Sequence, residues 1–146
     1  MATRTARTDW TGTLQEGSGR TELTSSGLGT FDVSWPKRTS DGADGTTSPE
    51  ELIAAAHASC FSMALSGEIA KAGGTPRALD VTADVGFGPD EGRGGFMITG
   101  IKLTVRGEVE GLDAAGFEKA AQGAKAGCPV SKALTGVDIT LDAALD

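Results

Sequence analysis

Short alternating runs open the chain. Trp10, Gly12 and Leu14 alternate with polar residues, Gly17-Ser18-Gly19 reads as a turn, and Thr21, Leu23 and Thr24 read as a returning strand. Phe31, Val33 and Trp35 suggest a third, so three short antiparallel strands are expected. Residues 37–48 lack apolar periodicity, and Asp41-Gly42-Ala43-Asp44-Gly45 is turn chemistry, which predicts a loop. The period then changes. Ser48 is a good helix N-cap, Pro49 suits the first helical position, and Glu51 stands where it completes a capping box. The helix is expected to run to about Ala72 and stop at Gly73-Gly74. Its first turns, Leu52, Ile53, Ala54, Ala55, Ala56, Ala58, Phe61, Met63, Ala64 and Leu65 among them, are apolar nearly all round. That predicts a central element buried on every side. Its alanines allow another helix to approach closely.

After Pro76 the alternation returns in Leu79, Val81, Ala83, Val85 and Phe87. A turn from Pro89 to Gly95 leads into a longer strand over residues 96–109. Its apolar phase slips near Gly100, as a β-bulge there would cause. Asp113 can cap a second helix reaching about Ala126, with Phe117, Ala120, Ala121 and Ala124 on one face and Cys128 at the next turn of that face. Pro129 bends or restarts that helix, and Val137, Ile139 and Leu141 form a last strand. The order β-β-β-α-β-β-α-β is an α+β fold, and 146 residues suit one domain over 1–146.

The net charge of −7 argues against nucleic acid or an anionic membrane as partner and favours a small-molecule substrate. The first nine residues lack the apolar stretch of a signal peptide. Residues 52–67 are uncharged, but a spanning helix needs about 20 predominantly apolar residues, so a buried helix and a cytoplasmic setting are expected. In that setting two cysteines are rarely a structural disulfide. Cys60 and Cys128 make no CxxC motif, and one histidine with two cysteines is too few for a structural zinc site. The 22 glycines form no phosphate-binding loop.

On residue type alone, Cys60 and Cys128 are either small buried hydrophobes or activated thiols. His57 precedes Cys60 by three residues on one helix face, so a Cys-His acyl-transfer dyad is open, as is a packed histidine without an orienting acid. Glu51 serves the cap, which leaves Glu50 free for another partner. Arg38 is either such a partner or a solvated loop charge.

Residues 48–65 read SPEELIAAAHASCFSMAL and residues 124–134 read AKAGCPVSKAL. Together they strongly resemble the two signature regions of the OsmC/Ohr family, more closely its osmotically inducible protein C branch. The likeness extends loosely over nearly the whole chain, including TADV at 82–85 and ITLD at 139–142. The resemblance implies an OsmC-like fold in an intertwined homodimer with two buried central helices. It implies reduction of organic hydroperoxides without metal, haem or other cofactor, an external dithiol as reductant, and lipoyl dithiols over thioredoxin. Carried over by motif, Cys60 is the peroxidatic cysteine, Cys128 the resolving one and Glu50 the family's glutamate. Arg38 is the nearest match to its arginine, although the residues 35–38 and the loop at 41–45 depart from the commoner pattern.

The chemistry so implied has a Cys60 thiolate attack the hydroperoxide, a sulfenic acid form, and Cys128 close a disulfide that the dithiol reopens. Arg38, held by Glu50, would lower the Cys60 pKa and stabilise the reacting oxygens. Glu50 and Cys60 are ten helical residues apart, about 15 Å along the axis, so a second, antiparallel helix is expected to bring one subunit's Glu50 near the other's Cys60. Phe61, Met63, Leu65 and Phe117 would suit a greasy substrate tail, or simply fill the core. The alternatives are a non-catalytic stress-associated binding protein of the same fold and the Cys-His acyl-transfer enzyme.

Overall fold

A computed structural model describes all 146 residues, which divide into two compact units, Met1–Leu52 and Ile53–Asp146. The first holds an antiparallel meander of β1 (Arg7–Thr11), β2 (Ser18–Glu22) and β3 (Thr30–Val33), in that order across the sheet. Arg7 pairs with Glu22, and Gly19 with Val33. The β1–β2 connection is so tight that a Cβ on Gly17 would lie 2.3 Å from the Thr13 carbonyl oxygen; Leu14, expected in the strand, belongs to that turn.

The third strand stops at Val33, short of the expected Trp35. Ser34 is extended and its hydroxyl accepts the Lys37 N–H, which starts a single helical turn, α1 (Trp35–Arg38). Pro36 fits that first turn because its missing N–H would have had no helical partner. The loop behind it is tied down by a Lys37–Asp44 ion pair of 2.8 Å and by the Thr47 N–H on the Asp32 carbonyl at 3.0 Å.

The long helix α2 (Pro49–Lys71) begins in the first unit and continues into the second. The Ser48 hydroxyl accepts the Glu51 N–H at 3.1 Å, as expected of the cap. The box is only half closed, because the Glu51 carboxylate takes the nearer Thr47 hydroxyl at 2.6 Å. At the far end Gly73 adopts a left-handed φ of +87°, and the Gly74 N–H returns to the Ile69 carbonyl at 2.9 Å. The helix is not buried on every side. One stripe of His57, Phe61, Leu65 and Ile69, spaced four residues apart, is fully buried, while Ala55, Ala56 and Met63 are exposed. Length and composition alone would let α2 cross a membrane, but its buried stripe packs into the core of the second unit.

That core lies against a three-stranded mixed sheet ordered β4 (Thr75–Pro89), β5 (Phe96–Glu110), β6 (Ile139–Leu145). β4 and β5 form a long antiparallel hairpin. Gly86 faces Gly100 and Phe87 faces Ile98, so Thr99 is the extra residue of the bulge expected at Gly100. β6 runs parallel to β5, reached through α3 (Ala114–Gly127) and the short α4 (Pro129–Ala133). Asp113 caps α3 by accepting the Gly116 N–H at 2.8 Å, and Phe117, Ala120, Ala121 and Ala124 are its buried stripe. Phe117 seats over Gly107, where any Cβ would stand 2.7 Å from the ring. Phe61, Leu65 and Phe117 are sealed in this core, at most 1% exposed, so they are packing residues and not a lining open to substrate.

Candidate active site

The second unit brings its two cysteines together. Cys60 sits in the middle of α2, and Cys128 occupies the junction of α3 and α4. Their sulfurs are 3.0 Å apart, against about 2.05 Å for a disulfide bond. The local sequence explains the placement. Cys128 continues the buried stripe of α3 by one turn, and its N–H still reaches the Ala124 carbonyl at 2.8 Å. Pro129 then disfavours a helical Cys128, whose φ of −58° and ψ of 125° are extended and end α3. Cys128 is fully buried and Cys60 half-buried, and both are free thiols.

The two thiols do not titrate alike. Burial pushes Cys60 up, its hydrogen bond with Cys128 pushes the same way, and only the Val130 backbone opposes them. Burial also works against a Cys128 thiolate, but the neighbouring Cys60 thiol and the polar groups of Ser131 and Val130 favour it and outweigh burial, so the Cys128 thiol is pulled down. Within the single chain, Cys128 is therefore the more readily ionised of the two thiols.

A second pair runs beside the first. His57, three residues before Cys60, is 0% exposed, and its Nε2 lies 2.7 Å from the hydroxyl of Ser131, three residues after Cys128. Its Nδ1 has no partner. Neither ring nitrogen is engaged with Cys60, which removes the dyad that an acyl-transfer reading requires. Ser131 was the residue that sequence reasoning missed. Its signal is the mirrored spacing of His57 and Cys60 on one string and Cys128 and Ser131 on the other.

Burial lowers the His57 pKa below the ordinary 6.5. The unfolded chain binds that proton more readily than the native one, so this contribution to stability is complete above pH 6.5 and falls as the pH drops below it. The slope from one such group is at most about 1.4 kcal/mol per pH unit. In urea titrations at pH 7.5 and 5.5, His57→Gln should lose less stability on acidification than the unaltered protein.

The first unit holds the other two expected residues. Arg38 and Glu50 are joined: Nε donates to both carboxylate oxygens at 3.1 and 3.2 Å, and a terminal guanidinium nitrogen donates at 2.7 Å. Glu50 is 7% exposed, and the guanidinium lies 5.9 Å from the centre of the Trp35 ring. Arg38 is thus a held cation and not a solvated loop charge. It stands on the wall of an apolar cavity of about 410 Å³, with Trp10, Leu14, Val33, Trp35 and Leu52 among the lining residues.

Peroxiredoxin OsmC of Escherichia coli strain K12 is 46% identical over 133 residues, 91% of this chain and 90% of that protein. Organic hydroperoxide resistance protein OhrA of Bacillus subtilis strain 168 is 38% identical over 99 residues, 67% of either chain. The crystal structure of organic hydroperoxide resistance protein OhrB of Bacillus subtilis superposes with a TM-score of 0.74 at 31% identity, covering 95% of this chain and 97% of that one. Residues 42–142, which include Glu50, the two cysteines and the parallel crossover, match the OsmC-like protein family, and the chain belongs to it.

Proposed function

We propose that this chain is a thiol-dependent peroxidase that reduces organic hydroperoxides to alcohols, with Cys60 as the peroxidatic and Cys128 as the resolving cysteine. The observation that carries the reading is the pair of sulfurs 3.0 Å apart, reduced and largely shielded from solvent. The names of its relatives supply the substrate class. The apolar cavity beside Arg38 would take the organic part of the hydroperoxide.

The Cys60 thiolate attacks the distal oxygen of ROOH. The O–O bond breaks, Cys60 becomes a sulfenic acid, and the alkoxide takes the Cys128 proton and leaves as alcohol. The Cys128 thiolate then attacks the Cys60 sulfur, the S–O bond breaks, and hydroxide departs as water after protonation by solvent. An external dithiol, of the lipoyl class, reopens the disulfide by exchange. Thiolates do all of this, so no metal or prosthetic group is called for.

The first step needs negative charge on Cys60, and the groups that act on that thiol within the chain favour Cys128 instead. A cation beside Cys60 would move the charge across. Arg38 is that cation by resemblance, and Glu50 holds it. The proposed site is composite: an antiparallel homodimer, packed through the open alanine face of α2, brings one subunit's Arg38 and Glu50 to the other's Cys60. Residues 1–146 then work as a single domain in the cytoplasm, where thiols stay reduced between turnovers.

Thiol titration tests the reading. Cumene hydroperoxide should consume both thiols of each chain and leave one intramolecular disulfide, which dihydrolipoamide reverses. Thiols that survive a molar excess of the hydroperoxide would leave a binding protein of the same fold.

A further inference from the structure

The two cysteines differ in how they can be reached from outside. Cys128 is 0% exposed and belongs to the sealed core with Phe117, Ala121 and Ala124. Cys60 is half-buried. It stands at the border of the buried stripe of α2, with His57 to one side around the helix and the exposed Ala56 and Met63 to the other. Association with a second subunit can only remove exposure. It cannot uncover Cys128, so an external reactant meets the pair at Cys60. Thiol–disulfide exchange depends on which sulfur the incoming thiolate reaches and on how readily the other one leaves. Both conditions select the same direction here. Cys60 is the reachable sulfur, and Cys128, the more readily ionised thiol, is the better leaving group.

We propose that the external dithiol attacks the disulfide at Cys60 and expels Cys128, so that hydroperoxide and reductant both react at Cys60 and Cys128 exchanges bonds with Cys60 alone. The proposal rests on the peroxidase reading and gives its reductive half a direction. The steps balance. A thiolate of the dithiol bonds to the Cys60 sulfur, the Cys60–Cys128 bond breaks, and Cys128 leaves as thiolate. The second thiol of the reductant, having lost its proton to solvent, attacks the reductant sulfur of the mixed disulfide, and Cys60 leaves as thiolate. The dithiol gives up two electrons and becomes a disulfide, and the protein regains its reduced pair. The same arrangement accounts for the need for two thiols on one reductant. In the reduced chain the Cys128 sulfur stands 3.0 Å from Cys60, so the expelled Cys128 is placed to return and drive off the incoming thiol. A monothiol loses that contest, whereas a second thiol on the same molecule competes in it.

Trapping the mixed disulfide tests the direction. Protein oxidised with cumene hydroperoxide is mixed with excess mercaptoethanol, quenched in acid and digested with pepsin. Mass analysis should find mercaptoethanol on the Cys60 peptide. Mercaptoethanol on the Cys128 peptide, or shared evenly between the two, would overturn the proposal. Single-cysteine variants run the same exchange in reverse, with no second cysteine to return. Cys60 in Cys128→Ser should react with dithiobis(nitrobenzoate) roughly a hundredfold faster than Cys128 in Cys60→Ser, because Cys128 waits for local opening. The difference should vanish in denaturant. Equal rates in the folded variants would overturn the proposal as well. A chain converted to the disulfide by diamide but not by cumene hydroperoxide would instead overturn the peroxidase reading, and mercaptoethanol would still report which sulfur is attacked.

Discussion

Cys60→Ser is expected to abolish cumene hydroperoxide turnover, a loss of roughly a thousandfold or more, because a serine hydroxyl is not appreciably ionised and has no base to activate it. Cys128→Ser should behave differently. It keeps the first chemical step, so one equivalent of hydroperoxide is consumed and a sulfenic acid accumulates at Cys60. Steady turnover with a dithiol then falls, since the intramolecular disulfide cannot form. The two variants together assign the roles. Each is nearly isosteric, and Cys128 lies in the core, so circular dichroism should show both folded. Single-turnover activity in Cys60→Ser, or its absence in Cys128→Ser, would reverse or remove the assignment.

Arg38→Met is expected to cost roughly a hundredfold in turnover, the usual loss when one donor to a developing anion is removed. Removing Arg38 also strands Glu50, which is 7% exposed and depends on three hydrogen bonds from that guanidinium. A double variant with Glu50→Gln removes the stranded charge and separates lost chemistry from lost stability. The proposed composite site makes a stronger demand. Arg38→Met and Cys60→Ser subunits, each inactive alone, should regain activity when mixed. One site of each mixed dimer joins an intact Arg38 to an intact Cys60 of the other chain, so random exchange restores about a quarter of the unaltered activity. Sites confined to one subunit would give none.

Much of the fold was written in local chemistry. Ser48-Pro49 and Gly73 bound α2 because caps are short-range devices, and the slip in apolar phase near Gly100 marked a bulge found one residue away at Thr99. The stripe of α3 was equally plain. What local pattern could not supply was partnership across the chain. Alternation in β6 says that one face is apolar, but its parallel pairing with β5 depends on the crossover through α3 and α4. The alanines of α2 tolerate either water or packing, so apolarity overstated its burial within one chain. Trp35 looked like a strand residue until Ser34 and Pro36 are read together as a helix start. At the site, the Arg38–Glu50 pair followed from family motifs, whereas His57 gained its meaning from Ser131, 74 residues on.

The contact between the two sulfurs also sets the catalyst's tolerance of its own substrate. A sulfenic acid can react with a second hydroperoxide and pass to sulfinic acid, which simple thiols do not reverse. At Cys60 the competing thiol is already in place, with no segment to unfold before the S–S bond closes. Well-aligned neighbours of this kind react as if present at about 10⁵ M or more, far above any peroxide concentration a cell meets. The lifetime of the vulnerable intermediate is then set by bond making alone. Under the proposed roles, inactivation would be a rare branch of the cycle, and throughput would rise with peroxide load until the supply of reductant limits it.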